Sequence, residues 1–101
     1  MSAENLEKLL REYKEYHSRN IRNWLEQLRN KVIKDRADEL IKYLHILRGS
    51  GTLYGFPEVS RIAEKLGKRC EKKTVMDEEI EAGLSRILEI ITRKRSERDE
   101  K

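Results

Sequence analysis

Gly49-Ser50-Gly51-Thr52-Leu53-Tyr54-Gly55-Phe56-Pro57 is the stretch that decides the fold, because it holds most of the chain's punctuation. Three of the five glycines and the one proline fall inside it, and it is the longest run without Asp, Glu, Lys or Arg. On either side, apolar residues recur every three to four positions, the period of an amphipathic helix. No run alternates apolar and polar residues as a half-buried strand does. N-terminal to the stretch, Leu6, Leu9, Leu10, Tyr13, Tyr16, His17, Ile21, Trp24, Leu25, Leu28 and Val32 form one apolar stripe. The stripe fits either a single long helix or two helices jointed near Ser18-Arg19-Asn20. Asp35 is the expected N-cap of the next helix, with Asp38 and Glu39 in a first turn where acids suit the helix dipole. Leu40, Leu44, Leu47 and Gly51 then face the core.

C-terminal to the stretch, Pro57 suits the first position of a third helix, with Glu58 beside it. Val59, Ile62, Ala63, Leu66 and Cys70 line its apolar face, and Lys72 to Met76 read as a connector. Asp77-Glu78-Glu79 opens the last helix, which turns Ile80, Leu84, Ile87, Leu88 and Ile91 inward. The pattern predicts an all-α, up-and-down antiparallel four-helix bundle with an additional N-terminal helical segment. Residues 1–19 are expected as the N-terminal extension, 20–92 as the bundle, and 93–101 as a charged, frayed tail.

Composition sets the class. A chain of 101 residues is the size of one domain. Charged residues reach 42%, yet Leu, Ile, Val and Phe together number 25, enough for a small core. One cysteine rules out an intrachain disulfide framework and fits a reducing compartment. Glu4, Glu7, Glu12 and Glu15 are foreign to a secretory signal, and no uncharged run approaches the roughly 20 residues of a membrane span. A soluble, cytoplasmic monomer is expected. His17, His45 and Cys70 match no zinc spacing, so neither a metal nor a cofactor is expected. Glu4/Lys8, Glu7/Arg11 and Glu64/Lys68 pair at helical spacing, as solvated faces do. His17, Trp24 and the four tyrosines read as packing, and Cys70 as a small buried hydrophobe.

His45 is the one polar residue out of place. On a helix, Ile41, His45, Arg48, Gly49 and Thr52 share a face, since their spacings are three and four. A neutral imidazole there is a competent nucleophile at neutral pH. Arg48 adds a fixed positive charge with several donors. Gly49 inside a helix costs about 1 kcal/mol against Ala, a cost that makes sense where a partner must come close to the backbone. The alternative is that Gly49-Ser50-Gly51 simply ends the helix, with His45 in its last turn. The residues alone leave both readings open.

The run from His45 to Phe56 resembles the motif of histidine-containing phosphotransfer (HPt) domains: His, any residue, apolar, Lys or Arg, Gly, then five residues and a second Gly. The segment from Val59 to Leu66 is similar to that family's following helix, and the likeness spans roughly residues 20 to 92. It implies a phosphoryl carrier of a His–Asp phosphorelay that is not itself an ATP-dependent kinase. His45 would be the phospho-accepting residue and Arg48 the base beside the phosphate. Ile41, Gly49 and Thr52 would contribute to the docking surface, and Gly55 would end the His-bearing helix near Tyr54. The partner would be the receiver domain of a response regulator or hybrid kinase, which itself holds Mg²⁺. One position departs from the family. A Glu or Gln that orients the imidazole has its counterpart at Gly67, leaving Glu64, Lys68 or Glu71 to substitute from an adjacent turn.

Two rival classes follow from the same sequence. Lys65, Lys68, Arg69, Lys72 and Lys73, with Arg93, Lys94 and Arg95, make a basic nucleic-acid-binding bundle conceivable, although acids interleave throughout and no DNA-reading motif is present. A structural or adaptor bundle without phosphotransfer is the other.

Overall fold

The computed structural model describes residues 3–30, 33–73 and 75–93. These form α1 (Ala3–Arg29), a short 3₁₀ turn (Ile33–Arg36), α2 (Ala37–Gly51), α3 (Pro57–Glu71) and α4 (Asp77–Thr92), with no strand among the described residues. Val32 and, of the expected tail, residues 94–101 with Lys94 and Arg95 lie outside them.

Contacts between helices set the topology. Tyr13 and His17 of α1 reach Ser50 and Tyr43 of α2, so the two run antiparallel. His45 meets Glu71 while Thr52 meets Ser60, which turns α3 back along α2. Arg69 pairs with Glu79, and Glu58 with Arg86, which reverses the direction again into α4. The closest helix pairs are α2 with α3 and α1 with α4. The result is the expected up-and-down four-helix bundle.

Its centre is the set of residues the 3.6-residue period selected. Ile21, Leu40, Leu44, Leu47, Val59, Leu84, Ile87 and Ile91 are fully buried. A leucine or isoleucine so placed contributes about 1.5–3 kcal/mol through removal of its apolar surface from water. Ile62, Cys70 and Leu88 sit at the margin, packed against this core.

The apolar stripe of the N-terminal region is one helix, not two. Ser18, at the proposed joint, is buried, and the Asn20 amide donates to the Tyr16 carbonyl at 2.8 Å instead of capping a new helix. The additional N-terminal segment is therefore continuous with the first bundle helix. At 1.5 Å per residue α1 is about 40 Å long against about 23 Å for its neighbours. Tyr13 already reaches Ser50 at the C-terminal end of α2, so the turns before it overhang the bundle. Leu6 and Leu9 accordingly stay 62% and 38% exposed and take no part in the core.

Asp35 is not the N-cap of α2. It lies in the 3₁₀ turn, and Arg36 takes the cap position without a side-chain cap. Arg36 instead grips the Glu39 carboxylate with Nε and Nη2, at 2.9 and 2.8 Å, and donates to Gln27. Its guanidinium lies over the Trp24 ring, 4.9 Å from the centroid. That anchoring, from one side chain to both α1 and α2, outcompetes a cap made by a short carboxylate.

His17 is buried, with Nδ1 hydrogen-bonded to the Tyr43 hydroxyl at 2.7 Å and the rings of Tyr13 and Tyr16 edge-on against it. Burial holds its pKa below the ordinary value and pushes that of Tyr43 up. Below about pH 6.5 the unfolded chain therefore binds a proton that the folded chain resists, and stability falls as the pH drops. Urea midpoints should decline from pH 7.5 to 5.5 in the native chain and decline less in His17→Gln. Equal slopes for the two would remove His17 as the cause.

Candidate functional site

The helix carrying His45 does not stop at its first glycines. Gly49 has ordinary helical geometry, and only Gly55 takes a positive φ among the glycines, at 91°. Around Gly55 the chain closes with Phe56 N–H donating to the Gly51 carbonyl at 2.7 Å and Gly55 N–H to Thr52 at 3.1 Å. That crossed pair is the glycine-based C-terminal cap of helices. Before it, Tyr54 N–H still donates to the Ser50 carbonyl, so helical bonding continues beyond α2 proper to Tyr54. Gly49 is consequently inside the helix and Gly55 ends it. The reading in which Gly49-Ser50-Gly51 terminates the helix is set aside.

Gly51 is a different kind of glycine. A Cβ there would lie 2.6 Å from Ser60 Oγ, 2.8 Å from Ser60 N and 2.9 Å from the Phe56 carbonyl. The contact lets Ser60 Oγ donate to the Arg48 carbonyl at 2.8 Å and accept from the Thr52 N–H and hydroxyl at 2.8 and 3.0 Å. This pin fixes the end of α2 on the start of α3. Thr52 is exposed, but its hydroxyl is committed to the pin.

His45 stands on the rim of a notch of about 70 Å³ between α2 and α3. Leu44 and Ala63 form its floor, and Arg48, Glu64, Gly67, Lys68 and Glu71 complete its walls. The imidazole is about half exposed, with Nε2 3.1 Å from Glu71 Oε2. Arg48 Nη2 lies 3.5 Å from Glu64 Oε2, which Lys68 Nζ also approaches at 3.3 Å. Gly67 is buried behind this array, where an added Cβ would make an ordinary 3.8 Å contact with Leu44. Of the three residues expected to stand in for a polar side chain at position 67, Glu71 is the one that touches the ring. It lies one turn further along α3.

The Glu71 carboxylate accepts, so Nε2 carries a proton in this arrangement. The charge pattern is also informative: Arg48 and Lys68 share one carboxylate, leaving donors of both turned to solvent. Above the ring, a Cβ at Gly49 would meet nothing within 4 Å, so the face is bare there. Ile46 and Leu53 are 56% and 80% exposed on that same outward face. Sequence reasoning missed both because neither is three or four residues from His45. Steps of one and eight residues place them about 100° and 80° around the helix, still on the outward half. Ile41, one turn before His45 on α2, is half-buried.

Other candidate residues are accounted for structurally. Burial raises the Cys70 pKa, against a role as a reactive thiolate. Within the basic cluster of α3, Lys68 is paired with Glu64 and Arg69 with Glu79. Glu79 also accepts from the Met76 N–H at 3.0 Å, joining α3 to the start of α4. Among the described residues, no three His, Cys, Asp or Glu side chains gather to hold a metal ion. No described helix is long and apolar enough to cross a membrane. No family model, curated protein or solved structure matches this chain.

Proposed function

We propose that the chain is a phosphoryl carrier of the HPt type, accepting a phosphoryl group on His45 from a receiver aspartate and passing it to another. The observation that carries this reading is a half-exposed helical histidine whose next turn on the same face is a glycine with open space above it. A glycine inside a helix at a cost of about 1 kcal/mol calls for a reason, and clearance for a partner's approach supplies one.

The reacting atoms are ordered as follows. In the free chain Nε2–H donates to Glu71, so its lone pair is not available. Exchange of that proton to Nδ1 through solvent frees Nε2, the nitrogen farther from the backbone, for in-line attack on the aspartyl phosphorus. The P–O bond to aspartate breaks, the carboxylate leaves on the partner, and the ring retains its Nδ1 proton. Arg48, one turn along on the same side, donates to the phosphoryl oxygens as charge shifts between them. The aspartate and its Mg²⁺ belong to the receiver. Ile46 and Leu53 add exposed apolar area to the docking face beside Ile41 and Gly49.

Glu71 thus restrains the nucleophile it orients, and a dianionic phosphoryl group arriving there is repelled by it. Exposed pairs of this kind are worth about 0.2–1 kcal/mol, or about a 1.4- to 5-fold change in rate. Glu71→Ala is expected to speed phosphoryl acceptance by that factor and to move the neutral ring toward its Nδ1–H tautomer, read from imidazole ¹⁵N shifts. Slower transfer in Glu71→Ala would mean that the carboxylate aids the attack.

The reading as a whole is tested by mixing the chain with phosphorylated receivers and Mg²⁺ and locating acid-labile phosphate. Phosphate on His45, and none after incubation with ATP and Mg²⁺ alone, is the expected result. Absence of label with several receivers would favour a structural bundle.

A further inference from the structure

The side of the bundle away from the His45 notch carries a second feature that the carrier reading does not use. Between α1 and α4 lies an open groove of about 780 Å³, walled by Lys14, Arg19, Arg22 and Arg93 with the buried Ile91 beneath it. A groove of about 430 Å³ adjoins it at the end of the bundle, where Leu10, Phe56 and Ile90 meet Lys14, Arg61 and Arg93. Lys14 and Arg93 line both, so the two form one trench.

Its charges are uncompensated. None of the five cations makes an ion pair with a described carboxylate, whereas Arg36, Arg48, Lys68, Arg69 and Arg86 all do. Lys14 is held only over the Phe56 ring, 6.0 Å from its centroid. Two acids line the walls. Glu58 is engaged by Arg86 at 3.1 Å, and Glu15 alone opposes the five. A cleft lined by one sign of charge concentrates its field and draws in the opposite sign.

We propose that this trench docks an acidic segment of a partner protein that also carries apolar side chains. Three features of the trench select this occupant. From Lys14 to Arg22 the cations spread about 12 Å along α1, too far for a single phosphate group to engage them together. At the end of the bundle its floor is apolar, formed by the half-buried Leu10, Phe56 and Ile90. A nucleic-acid backbone gains nothing from such a floor, while an amphipathic acidic peptide fills it with one face and meets the cations with its edges. The trench is also built from α1, α4, the α2–α3 connection and the first turns of α3, and shares no residue with the α2/α3 notch, so its occupant leaves the notch open. The proposal is independent of phosphotransfer at His45.

Fluorescence anisotropy on the full chain tests it, with three labelled probes of equal negative charge. These are a Glu-rich peptide with Leu and Phe at three- and four-residue spacing, a Glu/Ser peptide without apolar residues, and a single-stranded oligonucleotide. At physiological salt the amphipathic peptide is expected to bind tightest. The triple variant Arg19→Glu, Arg22→Glu, Arg93→Glu should weaken it at least tenfold while helical circular dichroism is retained. The milder Lys14→Gln, Arg61→Gln pair should weaken it in the same direction. The control Lys65→Glu, Lys72→Glu, Lys73→Glu removes the same net charge from α3 and the turn after it and should change binding far less, and His45→Ala should not change it. Tighter binding of the oligonucleotide would reassign the trench to nucleic acid. Equal binding of both peptides, equal loss in the α3 control, or no binding at all would overturn the proposal.

Discussion

Replacing Gly49 with Gln is expected to stabilise the protein and disable it at once. Gly49 lies inside the helix, has no positive φ, and faces open space. A residue of high helix propensity there should raise stability by up to about 1 kcal/mol. In a 100-residue domain that corresponds to a rise in melting temperature of about 4–8 °C. The new side chain would stand one turn above His45, where in the proposed function a partner must reach the ring. An obstruction of the 1–3 kcal/mol scale of an overpacked contact slows transfer by about 5- to 150-fold. Thermal melting and receiver-to-chain transfer on this variant measure the two effects separately. A stabilised variant that transfers normally would refute the clearance role.

Two residues further on, the same kind of change has the opposite sign. Gly51→Ala places a methyl group within 3 Å of two Ser60 atoms and the Phe56 carbonyl, and two of the three atoms are backbone. Neither can swing aside, so α2 and α3 must separate or the Ser60 pin must break. The expected cost is about 1–3 kcal/mol, measured as a fall in the urea midpoint. Transfer should fall with it, since the pin holds the Arg48 carbonyl and the notch depends on the α2–α3 spacing. An unchanged midpoint would mean that the close approach is relaxed at little cost. Together the two variants test whether one glycine serves an encounter and the other an internal contact.

The fold was legible because it rests on periodicity. Leu40, Leu44 and Leu47, and likewise Ile80, Leu84, Ile87 and Ile91, occupy the buried positions that spacing alone assigns. The N-terminal stripe misled for a related reason. Periodicity says which face is apolar but not whether a neighbouring helix is long enough to cover it, so Leu6 and Leu9 continue the apolar stripe yet lie in solvent. Asp35 failed as a cap because a long-range anchor, Arg36 on Glu39, Gln27 and the Trp24 ring, was invisible to a local rule.

Within the candidate site, spacing along α2 placed His45, Arg48 and Gly49 together, since residues three and four apart on one helix need no tertiary information. What it could not choose was the residue that α3 brings to the ring. Glu64, Lys68 and Glu71 are all within a turn of Gly67, and their sorting depends on the offset between two helices. That offset is set by the Gly51–Ser60 contact. Ile46 and Leu53 escaped because a single apolar residue on an exposed face carries no periodic signal.

The pairing of the helices has one more consequence, for how the molecule assembles and varies. The notch is made wholly by α2 and α3, neighbours in sequence joined by a short connection, whereas the α1/α4 pair brings together the two ends of the chain. Closing a short loop sacrifices less chain entropy than closing a long one, so the half that carries His45 can form from local contacts while the outer pair waits on distant ones. The same division insulates the notch from the frame around it. α1 runs to 27 residues beside partners of 15 and 16, while the residues that fix His45 against Glu71 all lie on α2 and α3. A lineage could thus reshape the outer pair, its overhang and its trench while the inner hairpin stays in register.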